Sequence, residues 1–298
     1  ALDFYRKTTE DLYQSIPLSG ATGSGSISGN NGSMRNSGIE LFLNYHVIKN
    51  QDKGFNLRVN FNVANNKNEI VELPSEDGIV YGGGNYINRE GDMLSQFYVV
   101  RYAGVNPANG NLLFLDKNGA LTENPNESDR VFTGKSAINP KFQGGFGFDM
   151  SYHNFFVNTL FSYVTDVYRY DWDLAGLQDP GSIGQFNLSE DMLRAWTPDN
   201  RYTDIPSLKA NNLALDSMSD RYIKDASYLR MRSATFGYNF DQKTLENFKI
   251  SSLRIYAQAE NYLTWSKWRG WDAESNRSGD QYQYPTPKIL SFGVQLGL

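Results

Sequence analysis

Large apolar side chains occupy every second position in the last nine residues of the chain. Leu290, Phe292, Val294, Leu296 and Leu298 alternate with serine, glycine, glutamine and glycine. Successive side chains of a strand point to opposite faces, so the apolar set forms one face of a predicted strand. The other face is too small and too polar to pack as a core. This combination is typical of the wall of a wide membrane β-barrel.

The same alternation recurs in residues 55–63, where an arginine and three asparagines make up the polar face. In a protein core each of these side chains would need a buried hydrogen-bonding partner. They can, however, line a water-filled lumen. The residues predicted to face such a lumen are Asn56, Arg58, Asn60, Asp149 and Gln295.

Alternation and turn chemistry predict about ten strands. In residues 155–168 two apolar sets compete for one face, one beginning at Phe155 and the other at Phe156, so the phase of that strand stays open. The predicted strand segments are 2–19 (a strand with its partner), 34–48, 55–64, 96–104, 112–116, 141–152, 155–168, 227–240, 250–263 and 288–298.

Short turns and long loops separate these segments. A polar turn at 50–54 predicts a hairpin, and residues 22–29 are rich enough in glycine and serine to predict a flexible turn. Longer loops are predicted at 65–92 (with Gly82–Gly84), 118–140 and 171–224. Within the last, Ser189 is a predicted N-cap for a short helix over 189–196. Long loops on one side and short turns on the other are typical of outer-membrane barrels.

Composition narrows the class without settling it. The mean hydropathy is −0.53, and no apolar run reaches the roughly 18–20 residues of a spanning helix. The 19 tyrosines, 18 phenylalanines and 5 tryptophans suit membrane-interface girdles, but a soluble β-sandwich or carbohydrate-binding module can be equally aromatic. With no cysteine and a net charge of −5, disulfides, thiolate chemistry and a basic nucleic-acid footprint are excluded.

Seven short segments, in the same order, resemble the C-terminal part of one transporter family. They are residues 3–12, 35–41, 61–70, 101–107, 226–232 with 235–238, 261–265 and 284–294. The family is the SusC/RagA-type TonB-dependent transporters, the nutrient importers of the Bacteroidetes outer membrane.

This resemblance implies an all-β fold, namely an antiparallel transmembrane β-barrel segment of roughly ten strands from a larger, 22-stranded plugged barrel. Residues 1–298 would be the C-terminal part of that barrel, without the plug domain and first strands. The missing signal peptide and initiator methionine also suggest a fragment. Implied partners are outer-membrane lipid, a SusD-like surface lipoprotein, and TonB acting through the absent plug. The implied function is import of oligosaccharides or peptides across the bacterial outer membrane.

Residues that could carry catalysis are sparse. There is no Gly-x-Ser-x-Gly elbow, and the two histidines, His46 and His153, lie in separate segments. We therefore expect no enzymatic activity and no cofactor. The acids of 171–173 and 216–225 could in principle hold Ca²⁺, but their spacing is not that of an EF-hand, and surface carboxylates explain them.

Tryptophans are the candidate substrate-binding residues. Those that follow the strand at 250–263 suit either a membrane-interface girdle or stacking against a ligand at the extracellular mouth. Those in the loop 171–224 are better placed for a ligand or partner. The candidates are Trp172, Trp196, Trp268 and Trp271. The alternative to an importer is a soluble β-rich binding module, or an outer-membrane scaffold or adhesin.

Overall fold

The computed structural model describes residues 1–19, 21, 23–50, 54–75, 77–81, 84–136, 138–248, 250–274 and 283–298. Most of the regular structure in these residues is β-strand. In chain order the elements are β1 (Leu2–Thr9), β2 (Tyr13–Pro17), β3 (Ser26–Asn30), β4 (Ser33–Asn50), β5 (Phe55–Glu72), β6 (Ile79–Tyr81), β7 (Tyr86–Arg89), β8 (Gln96–Val99), β9 (Arg101–Val105), β10 (Leu112–Leu115), β11 (Leu121–Thr122), β12 (Val131–Ser136), β13 (Phe142–Tyr152), β14 (Phe155–Thr165), β15 (Tyr168–Tyr170), α1 (Trp172–Leu177), β16 (Ile223–Asp225), β17 (Tyr228–Asn239), α2 (Gln242–Leu245), β18 (Ser252–Glu260), β19 (Thr264–Ser266) and β20 (Ile289–Gly297).

One large antiparallel sheet organises the chain. Its strand order is β1-β4-β5-β13-β14-β17-β18-β20, and β19 adds to β17 beyond the end of β18. The longest pairing joins two 18-residue strands, β4 and β5. At one end, β13 turns into β14 through His153 and Asn154, where His153 has φ of +50°. The other end carries the long excursions, so the connections have the predicted asymmetry.

The apolar face of this sheet is exposed. Phe292 and Phe4 retain 79% and 71% of their accessible surface, and they belong to opposite edges of the sheet. A soluble sandwich would bury this face against a second sheet. A face of this size that is left open suits contact with lipid instead.

The register resolves the phase of β14. Phe155 pairs with Tyr152 and Tyr238, and Phe161 pairs with Phe146, so the odd-numbered residues of β14 share the apolar face of β13 and β17. The Phe146 and Phe161 rings stack with centroids 4.9 Å apart. Phe156 therefore lies on the polar face.

The long excursions fold into a cap, defined here as β6–β12 together with β15, β16 and α1. Its sheets are β12-β8-β7-β6, β11-β10-β9 and β15-β16. Two clusters of buried side chains hold it together: one contains Phe97, Tyr170 and Tyr222, and the other contains Leu112 and Phe114. Burial of each such large apolar side chain contributes about 1.5–3 kcal/mol to the stability of the fold.

Several loop predictions are therefore wrong. β5 continues to Glu72, β6 and β7 lie within 65–92, and β11 and β12 lie within 118–140. The predicted flexible turn at 22–29 contains most of β3, which pairs with β2, whereas β1 pairs with β4. Strands of two to six residues are too short to show alternation, and cap packing stabilises them. Residues 51–53 of the predicted hairpin turn, and Gly82 and Gly83, lie outside the described residues.

The predicted short helix is present as a 3₁₀ segment, Glu190–Arg194. The Ser189 side chain caps it by accepting a hydrogen bond from the backbone N–H of Asp191, as predicted. Among the helices that the structure describes, none has the length and apolar character needed to cross a membrane.

Candidate functional site

A row of hydrogen-bonded polar side chains crosses the middle of the large sheet on its polar face. Arg58 of β5 donates to Asp149 of β13 through Nε and Nη2, at 2.8 and 2.5 Å. Asn158 of β14 donates to the other carboxylate oxygen of Asp149 at 2.6 Å. The row continues the strand register, because Arg58 pairs with Asp149 and Asp149 with Asn158.

All five residues predicted to face a lumen lie on this polar face. Asn56 pairs with Ser151 and donates to its hydroxyl at 3.3 Å, and Asn60 pairs with Gly147. Gln295 of β20 pairs with Arg254, whose guanidinium lies 4.8 Å from the ring of Phe156. The shared face is thus observed. Contact of these side chains with a passing substrate stays a prediction.

Glycines on the polar face make room for aromatic rings of the neighbouring strand. A Cβ atom at Gly237 would lie 2.4 Å from the ring of Phe156, and one at Gly293 would lie 2.3 Å from the ring of Tyr256. Both distances are far below van der Waals contact, so each ring lies across its glycine. At these two positions only a glycine leaves room for the neighbouring ring.

The cap and the last loop close over one end of the polar face. Asn68, on that face of β5, accepts a hydrogen bond from the backbone N–H of Leu94 in the cap. A second attachment joins β17 to the β19–β20 loop and is named here the latch. It consists of Arg230 and Arg232 with Asp272 and Glu274.

The latch is largely desolvated. The side chain of Arg230 is 4% exposed and contacts both Asp272 and Glu274, the latter at 2.6 Å. Tyr228 donates to Glu274 at 2.8 Å. Burial alone would raise the pKa of Asp272, but hydrogen bonds from Arg230 and Thr286 outweigh burial and hold that pKa well below its usual range.

Sequence reasoning missed the latch. The sequence signal for it is two pairs of like charges two residues apart, Arg230 with Arg232 in β17 and Asp272 with Glu274 in the loop. When the loop folds back over β17, the two acids lie beside the two cations.

Asp191, in the 3₁₀ segment Glu190–Arg194, connects the end of α1 to the same loop. Its carboxylate binds Arg269 at 2.8 Å and Arg194 at 2.9 Å, and it accepts a hydrogen bond from Gln178 at 3.0 Å. Burial would raise the pKa of Asp191, but hydrogen bonds from Arg269, Arg194 and Ser189 lower it to about 2. The group is therefore a carboxylate at neutral pH.

Trp172 lines a cavity of about 520 Å³ in this region. Its ring lies 4.3 Å from that of Tyr170 and is half exposed. The floor holds a buried ion pair, Arg221 with Asp216, at 2.5 Å. Cavities of this size, with one accessible aromatic face and a few fixed polar groups, accommodate small organic ligands.

The other three candidate tryptophans lie at separate places. Trp196 packs against Gly110 and donates from Nε1 to the carbonyl of Pro107 at 3.2 Å. The ring of Trp268 lies 4.2 Å from the guanidinium of Arg169. Trp271 lines a small cavity of about 120 Å³ beside the latch. The structure does not gather the four rings into one site, and binding by any of them stays a prediction.

The loop acids considered for Ca²⁺ have protein partners. Asp171 caps α1, and Asp216 binds Arg221. Asp220 binds Arg101 and accepts from the backbone of Tyr102, and Asp225 accepts from the backbone of Ser227. Within the described ranges, no group of three or more acids and histidines is placed to hold a metal ion.

The sheet has an apolar exterior, a polar interior and loops folded over that interior, and these features define a segment of a transmembrane β-barrel. Solved structures share this architecture. The RagAB peptide importer in its "closed-closed" state aligns with a TM-score of 0.86 at 27% identity, over 99% of this chain and 33% of that one. The predicted fold class is confirmed.

Proteins related by sequence point to the same class. The chain is 32% identical to TonB-dependent receptor P3 of Formosa agariphila over 98% of its own length, and 29% identical to TonB-dependent receptor SusC of Bacteroides thetaiotaomicron over 99%. It spans 30% of each of these proteins. No protein-family profile matches the chain. The chain is related to the SusC/RagA-type TonB-dependent transporters, as its motifs predicted.

Proposed function

We propose that the chain is the C-terminal part of the barrel wall of an outer-membrane importer for oligosaccharides or peptides. The observation that carries the proposal is the division of the large sheet into two faces from β1 to β20. Exposed Phe4 and Phe292 lie on one face, and the Arg58–Asp149–Asn158 row lies on the other. Such a wall separates lipid from an aqueous passage.

The proposal also includes the rest of the transport machinery. A plug within the barrel would be moved through TonB, and a SusD-like surface lipoprotein would bind over the cap. The named relatives are receptors and transporters, and we propose that this chain likewise breaks no covalent bond and needs no cofactor. Its proposed location is the bacterial outer membrane.

Growth of the bacterium tests the proposal. The gene for the full-length protein is deleted, and the strain is grown on a peptide mixture or on an oligosaccharide mixture as its sole nutrient. We expect a defect on one of the two, restored by the intact gene but not in a strain without active TonB. Normal growth on both, or rescue without TonB, would overturn the proposal.

A further inference from the structure

Three cations lie on the lipid side of the wall, immediately beyond its apolar belt. On β1, β4 and β5 the belt ends with the row Phe4–Ile39–Asn65. The next row with side chains on the same face is Arg6–Ser37–Lys67, and the following one is Thr8–Arg35–Glu69. We name Arg6, Arg35 and Lys67 the outer cation patch.

The register fixes the side on which this patch lies. No bulge interrupts the β1–β4 pairing, and the β4–β5 pairing is regular from Met34 to His46. Residues two apart in a strand share a face, so the patch continues the face of Phe4 and Ile39. The opposite face at the same height carries Asn68, which is buried beneath the cap.

The patch carries excess positive charge. Within these two rows three cations are present with one carboxylate, Glu69, which lies 3.8 Å from Arg35 and 3.4 Å from Lys67. The Lys67 side chain is 73% exposed, and Arg6 is exposed as well. Glu69 cannot neutralise all three.

The patch lies where lipid headgroups are expected under the proposed location. Each row lies about 7 Å further along the strands than the previous one, so the cations lie within reach of the end of the apolar belt. This is the end with the long loops, which is the outer leaflet in an outer-membrane barrel. Basic side chains in this position extend toward the membrane surface.

We propose that the outer cation patch binds the phosphate groups of an anionic lipid in the surrounding outer leaflet. This inference rests on the proposed outer-membrane location. The long stems of Arg6 and Lys67 would cover the first part of the acyl chains, and their charged ends would contact phosphate oxygens. Arg35, which lies 3.8 Å from Glu69, would supply a third donor.

Native mass spectrometry of the full-length protein tests this proposal. The detergent-solubilised protein is titrated with bisphosphorylated lipid A, and in parallel with the dephosphorylated lipid of the same acyl chains. The double substitution Arg6→Gln and Lys67→Gln is expected to weaken binding of the phosphorylated lipid about tenfold. Binding of the dephosphorylated lipid should stay unchanged.

Lys7→Gln is the matched control. Lys7 is next to Arg6 and exposed, but it lies on the polar face, so its substitution should leave lipid binding unchanged. An equal loss in the control, or no loss in the double variant, would overturn the patch. Inorganic phosphate that competes as well as the lipid would indicate a site for a free anion instead. A protein that fails to insert into the outer membrane would contradict the proposed function itself.

Discussion

Arg58 and Asp149 form an ion pair across β5 and β13, in which two guanidinium nitrogens contact a single carboxylate oxygen. The Arg58 side chain is 46% exposed, so this pair is hydrated and contributes little to stability, about 0–1 kcal/mol. Its importance is positional, because it marks the centre of the face that we assign to the passage.

The assignment of faces predicts opposite effects for neighbouring residues of β5. Val59→Arg places a charge on the lipid face and should destabilise the folded barrel by about 2–4 kcal/mol near the bilayer midplane. Asn60→Arg places the same charge on the polar face and should change stability by less than about 1 kcal/mol. Urea unfolding of the full-length protein in lipid vesicles measures both. Equal effects would contradict the assignment.

The latch predicts local order in the last loop. Arg230→Gln leaves Asp272 and Glu274 without their buried cation, a change that typically costs about 3–5 kcal/mol. We expect faster hydrogen exchange in residues 264–274, with little change in β4 and β5. Lys267→Gln is the control, because Lys267 is 85% exposed and its contact with Asp225 is long, at 3.8 Å. If both variants exchange alike, the latch does not hold the loop.

Asp191 predicts an acid-sensitive contact between the 3₁₀ segment Glu190–Arg194 and the β19–β20 loop. Its folded pKa of about 2 lies below the ordinary value of 3.8. The stabilisation is therefore complete above about pH 4 and is lost as the pH falls toward 2. The protection factors of residues 189–196, which correct for the intrinsic pH dependence of amide exchange, should fall over this interval in the native protein. Asp191→Asn should show raised exchange at pH 5 already and a weaker pH dependence.

The buried Arg221–Asp216 pair predicts a double-mutant result. Asp216→Ala leaves Arg221 buried without its carboxylate and should destabilise the cap by about 3–5 kcal/mol. Replacing both residues, as Asp216→Leu with Arg221→Met, should restore much of this loss. Hydrogen exchange within β15 and β16 measures the local stability. Failure of the second substitution to recover any protection would show that the pair acts through more than its charge.

Trp172 predicts a loss of ligand affinity without a loss of fold. Trp172→Ala removes the accessible ring of the cavity, and we expect weaker binding of the oligosaccharide or peptide that we propose as cargo, by roughly twofold to tenfold. Phe186→Ala is the contrast, because Phe186 is an exposed aromatic residue of the same loop that does not line this cavity, and its replacement should leave affinity unchanged. Isothermal titration with the full-length protein distinguishes the two effects.

The wall could be predicted from the sequence, but the cap could not. Strands such as β5, β13 and β20 carry alternation over nine or more residues, and the polarity of each residue indicates the face on which it lies. Strands of the cap are short, and Phe97 and Phe114 are buried by contacts with residues far away in the chain. Such contacts produce no periodic pattern of apolar and polar residues in the sequence.

The candidate site follows the same division. The predicted lumen-facing residues share one face because alternation determines it, as the pairing of Asn56 with Ser151 shows. The latch and the surroundings of Trp172 depend on how loops fold back over the wall. No local pattern in the sequence specifies that geometry.

The rings of Phe156 and Tyr256 lie flat over Gly237 and Gly293 instead of standing upright. The glycines therefore limit how far these rings project from the wall and, under the proposed function, widen the space left for cargo. An alanine methyl group at either position would push the ring away from the sheet and, under the proposed function, would narrow the route.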